Sequence, residues 1–159
     1  MNPRSRSLIS TFSIVAADPE HRQVGVAVQS RYFAVGAVVP WVRAGVGAVA
    51  TQALGLARYG PDILDRLAAG AAAADALAAA LREDPLAPRR QIGVVRADGE
   101  SASHTGAECL AWAGGHSGPG FAIQGNILAG PAVVEDMLQA FTASAGTLAE
   151  RLMAALEAG

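Results

Sequence analysis

The chain of 159 residues contains no lysine, since all twelve of its basic residues are arginines. This absence excludes every mechanism that needs a lysine base or a lysine Schiff base. Only 16% of the residues are charged, the formal net charge is -2 at pH 7, and the arginines are scattered along the chain. Such a pattern lacks the basic stripe that follows a phosphate backbone, so we expect no nucleic-acid partner.

Cysteine and long apolar runs are scarce as well. The single cysteine, Cys109, cannot form a disulfide within the chain. No apolar run reaches the roughly 20 residues that a membrane-spanning helix needs, so we expect no membrane partner. The first ten residues, MNPRSRSLIS, hold two arginines and no apolar core. We interpret residues 1–10 as a polar N-terminal arm rather than a secretion signal, and we expect a cytoplasmic protein.

Aliphatic and small residues dominate what is present. Hydrophobic residues make up 52% of the chain, whereas aromatic residues make up 5%. The interior is therefore expected to be built from Ala, Val, Leu and Ile. A chain of this length is one typical domain that buries about two thirds of its surface, and disordered, coiled-coil and disulfide-scaffold classes are excluded.

Strand patterns and helix patterns come in blocks along the chain. Apolar and β-branched runs predict seven strands, at 11–17, 23–30, 34–42, 44–53, 91–97, 100–105 and 120–125. Pro40 marks the third of them as an edge strand, a bulged strand or a strand end. Helical spacing predicts two helices at 60–70 and 72–83, with Pro61 first in its helix, and two more after residue 130. Such blocks predict an α+β fold in which two antiparallel sheets pack together with helices outside.

Five long segments carry a family resemblance, and they occur in the family's order. They are TFSIVA at 11–16, GVAVQSRYFAVGAVVPWVRAGVGAVATQA at 25–53, RYGPDILDRLAAG at 58–70, RQIGVV at 90–95 and CLAWAGGHSGPGFAIQGNILAGPAVVEDM at 109–137. These segments closely resemble the domain-of-unknown-function 1028 family. That family looks like part of the N-terminal nucleophile (Ntn) hydrolase superfamily. The resemblance implies that residues 11–159 form one Ntn-hydrolase-like domain, a four-layer αββα sandwich.

The two ends of the chain differ from the family's usual pattern. In the family, Thr-Phe-Ser commonly follows the initiator Met directly, whereas ten residues precede Thr11 here. The family also usually continues beyond the equivalent of 156–159 into a further segment with another strand. We therefore expect that this chain lacks the family's C-terminal segment.

The resemblance places Thr11 at the position of the Ntn nucleophile. An Ntn hydrolase uses the hydroxyl or thiol of its first residue as nucleophile and that residue's own α-amine as base. An α-amine has a pKa of about 8 and is a usable base at neutral pH. Because the amine of Thr11 lies in the Ser10–Thr11 peptide bond, this role requires that the bond be cut, for which attack by the Thr11 hydroxyl is one route. The alternative is an ordinary threonine at the start of a strand.

Two further side chains are candidate substrate-binding groups near the nucleophile. Ser13 lies two residues after Thr11 in a strand and therefore shares its face, either as a second hydroxyl or as a polar packing residue. Arg31 follows the second strand, where proteasome-like Ntn folds support the nucleophile. A guanidinium never deprotonates, so Arg31 is a candidate charge anchor and not a base. The alternative is a buried salt bridge to Glu108 or Asp62, and Glu108 joins the candidate substrate-binding residues.

Amide and hydroxyl side chains end the fourth and the last predicted strands. Asn126 is our candidate oxyanion donor, because glycine precedes it and the backbone can approach a substrate there. Thr51, Gln52 and Gln124 are candidate substrate-binding residues. The alternative for the amides is that they cap loop backbone, as Asn and Gln do routinely.

Histidine and thiol chemistry are the remaining options. A general hydrolase would use His104 as base for Thr11 or Ser13, or for the Cys109 thiol. His104 and His116 lack metal-ligand spacing with each other or with Cys109, and the glycine-rich GGHSGPG run lacks the Lys-Ser/Thr pair of a phosphate loop. We therefore expect no metal and no cofactor.

These observations favour two hypotheses from different classes. The first is an Ntn-type hydrolase of an amide bond in a small molecule or peptide, with Thr11 as nucleophile. The second is a non-catalytic binding or assembly module that retains the Ntn sandwich. Because alanine-rich apolar helices suit self-association, we also expect a homo-oligomer.

Overall fold

The computed structural model describes residues 9–159, so most of the predicted N-terminal arm lies outside the described residues. The described residues form eight strands: β1 Thr11–Asp18, β2 Gln23–Ser30, β3 Pro40–Arg43, β4 Gly47–Ala53, β5 Arg90–Arg96, β6 Ser101–Thr105, β7 Gly114–Gly118 and β8 Phe121–Asn126. The same part of the chain forms four α-helices: α1 Tyr59–Ala68, α2 Ala73–Arg82, α3 Ala132–Ala143 and α4 Leu148–Ala158. Short 3-10 helices span Val35–Ala37 and Ala87–Arg89.

The strands form two four-stranded sheets in which every neighbouring pair is antiparallel. The first sheet has the order β2-β1-β8-β7 and the second has the order β3-β4-β5-β6. The prediction of an α+β fold with two antiparallel sheets is thereby confirmed. Helices α3 and α4 pack on the first sheet, α1 and α2 pack on the second, and the sheets face each other. None of the helices within residues 9–159 is both long and apolar enough to cross a membrane.

Strand alternation explains why β1 can be apolar on both faces. Ile14 and Ala16 belong to the cluster that packs against α3 and α4. Val15 and Ala17, one residue on in each case, pack between the two sheets. Successive side chains of a strand point to opposite faces, so a strand covered on both sides needs apolar residues at every position.

The helices bury one apolar face each, as their sequence spacing predicts. In α1, Ile63, Leu64 and Leu67 are buried against the second sheet. The helix begins at Tyr59, so Pro61 is its third residue and not its first as predicted. Proline is tolerated throughout the first turn, because the N–H groups there have no partner within the helix.

Two predicted strands are shorter than expected. The run 34–42, predicted as an edge strand, a bulged strand or a strand end, does contain an edge strand, but only Pro40–Arg43 pairs and Val35–Ala37 is a 3-10 helix. A proline in first position on an edge strand costs no ladder hydrogen bond. The run 44–53 pairs only from Gly47, because Gly45 has φ +72° and forms a turn.

One strand was missed altogether. The sequence patterns predict no strand between 106 and 119, yet Gly114–Gly118 forms β7 and pairs with β8. Its sequence, GGHSG, lacks the β-branched and aromatic residues that mark strands. The conformation of this segment is therefore determined by its pairing with a buried neighbour and not by local propensity.

Candidate active site

Several strand ends meet at one edge of the two facing sheets. Thr11 is the first residue of β1, and it pairs with Ser30 at the end of β2 and with Asn126 at the end of β8. In the second sheet, Gln52 near the end of β4 pairs with Gln91 near the start of β5. Antiparallel connection thus places residues from distant parts of the sequence within one neighbourhood.

A cleft of about 560 Å³ lies at this edge. Of the predicted site residues, Thr11, Thr51, Gln52 and Asn126 line it together with Glu108. Most of its remaining walls are aliphatic side chains, from the segment after β2 and from the ends of β4 and β8. A cleft of this size with a few convergent polar groups has the character of a small-molecule site.

Ser30 organises the hydroxyl of Thr11. The Ser30 hydroxyl donates to the Ser10 carbonyl oxygen at 3.0 Å, and it accepts the backbone N–H of Tyr32 at 3.1 Å. Thr11 Oγ1 lies 2.9 Å from Ser30 Oγ. Because the single proton of Ser30 already goes to Ser10, the Thr11 hydroxyl must be the donor in that third contact. Ser30 therefore contacts both the candidate nucleophile and the carbonyl that precedes it.

Gln91 is the centre of a buried amide network beside the cleft. Its Oε1 accepts from Asn126 Nδ2 and from Gln52 Nε2, both at 2.9 Å. Its Nε2 donates to the carbonyl of Gly125 at 2.7 Å and to the Thr105 hydroxyl at 3.0 Å. Gln91 is fully buried, so its five-atom side chain has little freedom to leave these partners. It fixes the orientation of two amides that line the cleft.

Ser13 and Gln124 lie deeper in the same network. The Ser13 hydroxyl donates to Gln52 Oε1 at 2.7 Å and accepts from Gln124 Nε2 at 2.6 Å. Both residues are fully buried, and the lining of the cleft within residues 9–159 does not include them. Ser13 does share the inward face of Thr11, but its geometry makes it a support for Gln52 rather than a group that a ligand reaches.

Two buried oxygens are without a hydrogen-bond partner among the described residues. One is Gln124 Oε1, which lies over the backbone of Gly93 where any Cβ would collide with it. The other is the hydroxyl of Thr51, a residue that lines the cleft and is 1% exposed. An unpartnered buried oxygen is costly, so the polar groups beside the cleft are held at some expense of stability.

Backbone strain is concentrated around the cleft. Ala53 and Ile127, which follow Gln52 and Asn126, have φ of +64° and +57°, and both line the cleft. Ala34, in the segment that forms one wall, has φ +57°. A β-branched residue at positive φ is a genuine outlier, and such strain of about 1 to 3 kcal/mol per residue clusters at functional sites.

Arg31 does not form the buried salt bridge to Glu108 or Asp62 that was the alternative to its role as a charge anchor. Arg31 is exposed and is not part of the cleft lining. Glu108 lies 3.8 Å from Arg89 Nε, and the other expected partner, Asp62, lies 3.5 Å from Arg58 Nε. The arginine that lines the cleft is Arg89, which sequence reasoning passed over.

The histidine and thiol options have other partners in the structure. His104 Nε2 lies 3.0 Å from the Ala87 carbonyl oxygen, so this imidazole nitrogen donates to backbone instead of accepting a proton from Thr11 or Ser13. Cys109 lines the cleft, but its thiol donates to the carbonyl of Arg90 at 3.3 Å and burial raises its pKa. A protonated thiol is a poor nucleophile. Within residues 9–159, His, Cys, Asp and Glu form no group of three that could hold a metal ion.

A buried ion pair supports the cleft wall from behind. Arg90 Nε donates to Asp84 Oδ2 at 2.7 Å, and the Tyr59 hydroxyl donates to the same oxygen at 2.7 Å. The hydrogen bond from Arg90 holds the pKa of Asp84 at about 2, and burial raises the pKa of Tyr59. Arg90 also donates to the carbonyl of Leu54, a residue of the cleft wall. Breaking this pair should therefore loosen the wall.

Ser30, Gln91 and Arg89 are the site residues that sequence reasoning missed. Ser30 directly precedes Arg31 at the end of the second predicted strand, and its place opposite the start of β1 is the signal that would have found it. Gln91 sits at the start of an apolar strand, and a lone amide within such a run is the signal that would have found it.

Comparison with known proteins identifies a family that this chain matches. The profile of a family of unknown function, DUF1028, matches residues 11–159. A crystal structure of protein SPO2555 from Silicibacter pomeroyi, assigned to DUF1028, matches with a TM-score of 0.90 and 32% sequence identity. That match covers 94% of this chain and 69% of the other. A comparison with curated proteins finds no match.

Proposed function

The chain belongs to the DUF1028 family, whose function is unknown, and we propose that it is an Ntn-type hydrolase of an amide bond in a small molecule or peptide. The observation that carries the proposal is the position of Thr11. Its hydroxyl opens β1 at the cleft, donates to Ser30, and has the Asn126 amide as its neighbour across the ladder. Two facing antiparallel sheets with helices on both outer faces support an Ntn-type domain over residues 11–159.

The hydrolysis uses the hydroxyl and the freed α-amine of Thr11. The amine removes the hydroxyl proton as Oγ1 attacks the substrate carbonyl, and the same amine then protonates the leaving nitrogen as the C–N bond breaks. Asn126 Nδ2 has two hydrogens and gives one to Gln91. The second is free to stabilise the oxyanion. Water activated by the amine finally cleaves the acyl ester and regenerates Thr11.

Ser30 supplies a route that frees the amine from the Ser10–Thr11 bond. Thr11 Oγ1 bonds to the Ser10 carbonyl carbon, the Thr11 proton passes to Ser30, and the Ser30 proton passes to the Ser10 oxygen. Collapse of this adduct breaks the C–N bond, moves that proton to the Thr11 nitrogen, and leaves an ester. Water hydrolyses the ester to a Ser10 carboxylate and a free Thr11 amine. The hydrogen bonds at Ser30 already run in the direction of this transfer.

Intact mass and N-terminal sequencing of the purified chain, sampled for hours at neutral pH, test the proposal. We expect a species that begins at Thr11, and we expect Ser30→Ala to slow its appearance by about 10- to 100-fold because a positioned proton relay is lost. Ser103→Ala, at an exposed serine of β6, is the matched control and should leave the rate unchanged. A chain that stays uncut at Ser10–Thr11 would contradict the Ntn mechanism.

The second candidate is the non-catalytic binding or assembly module. Tyr32 and Phe33 favour it, since they are 52% and 94% exposed and Tyr32 lines the cleft. Large exposed aromatic side chains are typical of interaction surfaces. The cytoplasmic location and the homo-oligomer stay predictions, and sedimentation of the purified chain tests the second of them.

A further inference from the structure

The cleft separates its polar groups from a large aliphatic wall. Thr11 and Asn126 lie at the strand ends, whereas Val35, Val38 and Val39 form a wall from the segment after β2. Leu110 adds to the apolar lining and is 54% exposed. Exposed aliphatic side chains around a concave site mark the place where a ligand buries its own apolar part.

The charge of the cleft is confined to one loosely held pair. Among the lining residues described, Arg89 and Glu108 are the charged ones, and their closest approach is 3.8 Å. An optimised guanidinium–carboxylate hydrogen bond is shorter, at about 2.7 to 2.9 Å. Both side chains are more than half exposed, so the guanidinium of Arg89 retains donors for a carboxylate from solution.

A third observation concerns the side-chain amide of Asn126. Asn126 lines the cleft and pairs with Thr11 across the strand ladder, and its Nδ2 donates one hydrogen to Gln91. The second hydrogen of an amide nitrogen can be donated to a carbonyl oxygen. The cleft therefore offers an aliphatic wall, an amide donor next to Thr11, and a guanidinium.

We propose that the amide cleaved here belongs to an N-acyl amino acid with an aliphatic acyl chain. The inference rests on the proposed function and names its substrate class. The acyl chain packs against the valine wall, the amide lies between Thr11 and Asn126, and the carboxylate binds Arg89. Hydrolysis yields a free fatty acid and a free amino acid, with water as the only other reactant.

Calorimetric titration of the full chain with N-acylglycines, from acetyl to octanoyl, tests the proposal without requiring turnover. One buried methylene contributes about 0.8 kcal/mol, so each added methylene should tighten Kd about fourfold until the wall is filled. The N-methylamides of the same acylglycines lack the carboxylate and should bind about tenfold more weakly. A series with no dependence on chain length, or equal binding of acid and amide, would overturn the proposal.

Matched surface variants locate the two contacts. Arg89→Gln should remove the preference for the acid, whereas Arg58→Gln should not, because Arg58 is a similarly exposed arginine in a loose pair outside the cleft lining. Val38→Ser should weaken octanoylglycine about tenfold, and Val42→Ser, at an exposed valine outside the cleft lining, should have no effect. An effect at the control positions that equals the effect in the cleft would contradict the assignment.

Calorimetric binding and glycine release, measured on the same samples, separate this inference from the proposed function. If binding depends on chain length but no glycine is released, the proposed ligand class is supported and the proposed hydrolase activity is contradicted. If the chain hydrolyses other amides but does not bind acylglycines, the hydrolase activity is supported and the proposed ligand class is contradicted.

Discussion

The space between the two sheets has two ends of opposite chemistry. The apolar end is packed with small aliphatic side chains, namely Val15, Ala17, Ala48, Ala50, Val95 and Ala122. The amide end, next to the cleft, is filled by Ser13, Gln52, Gln91, Gln124 and Asn126, all of them buried. The same strands β1, β4, β5 and β8 build both ends, so strand pairing does not explain the difference.

Stability and the positioning of the site residues come from different ends of this space. Burying an amide is unfavourable unless its hydrogen bonds are satisfied, whereas burying an aliphatic side chain is favourable outright. The amide end therefore adds little stability over an apolar filling, and Gln124 Oε1 even lacks a partner. What the amides do add is a fixed orientation for Gln52 and Asn126 beside Thr11. The apolar end holds the sheets together, and the amide end holds the site.

Removing the nucleophile should have the largest effect on the amide end. We expect Thr11→Ala to abolish self-cleavage and to lower amide hydrolysis at least about 10³-fold, since loss of a nucleophile leaves only binding and oxyanion contributions. Thr11→Ser keeps the hydroxyl and should retain cleavage. Mass spectrometry and initial rates measure both, and wild-type rates in Thr11→Ala would assign the chemistry elsewhere.

The ion pair behind the cleft should give the next largest effect, on stability. Asp84→Asn leaves Arg90 buried without its counter-charge and should lower the free energy of unfolding by about 3 kcal/mol. The pKa of Asp84 is about 2 in the folded chain and rises on unfolding, so the unfolded chain takes up more protons in acid. The wild type should therefore lose this stability as the pH falls from about 5 to 2, a loss absent from Asp84→Asn. Urea titrations across this pH range check it, and parallel curves for the two chains would contradict it.

Gln91→Leu tests whether the amide end positions the site residues. Leucine keeps the volume but leaves the amides of Gln52 and Asn126 without their common acceptor. We expect about 2 kcal/mol of lost stability from the orphaned groups and about 10- to 100-fold lower kcat with little change in KM. Gln91→Glu, which keeps the acceptor oxygen, should restore part of kcat. Equal kcat for wild type and Gln91→Leu would show that the network is structural only.

Val95→Ala is the corresponding test of the apolar end and should have the smallest effect. Val95 is fully buried between the sheets, so the loss of two methyl groups should cost about 1 to 2 kcal/mol of stability. Self-cleavage and kcat should stay unchanged, since Val95 is not among the residues that line the cleft. A drop in kcat as large as that of Gln91→Leu would erase the distinction between the two ends.

Sequence patterns predicted the elements better than the site. The near-continuous apolar run of β1 is typical of a strand covered on both faces, and turn residues separated most strands correctly. The strand Gly114–Gly118 was not predicted, because its conformation is determined by pairing with β8 and not by its own side chains. At the site, strand pairing brings Ser30 to Thr11, and the packing of the two sheets brings Gln91 to Asn126, although these residues are distant in sequence. Both Arg31 and Arg89 are exposed, but Arg89 lines the cleft and Arg31 does not, a difference of position that their charge does not reveal.

Covalent trapping of the nucleophile tests the central claim most directly. The purified chain is incubated with a β-lactone, a reagent that acylates activated hydroxyl nucleophiles, and the adduct is located by tandem mass spectrometry of peptides. The account predicts one acyl group on a Thr11 that has become the N-terminal residue, and none in Thr11→Ala. An unmodified Thr11 still joined to Ser10, or an adduct on Cys109 or Ser13 instead, would contradict it.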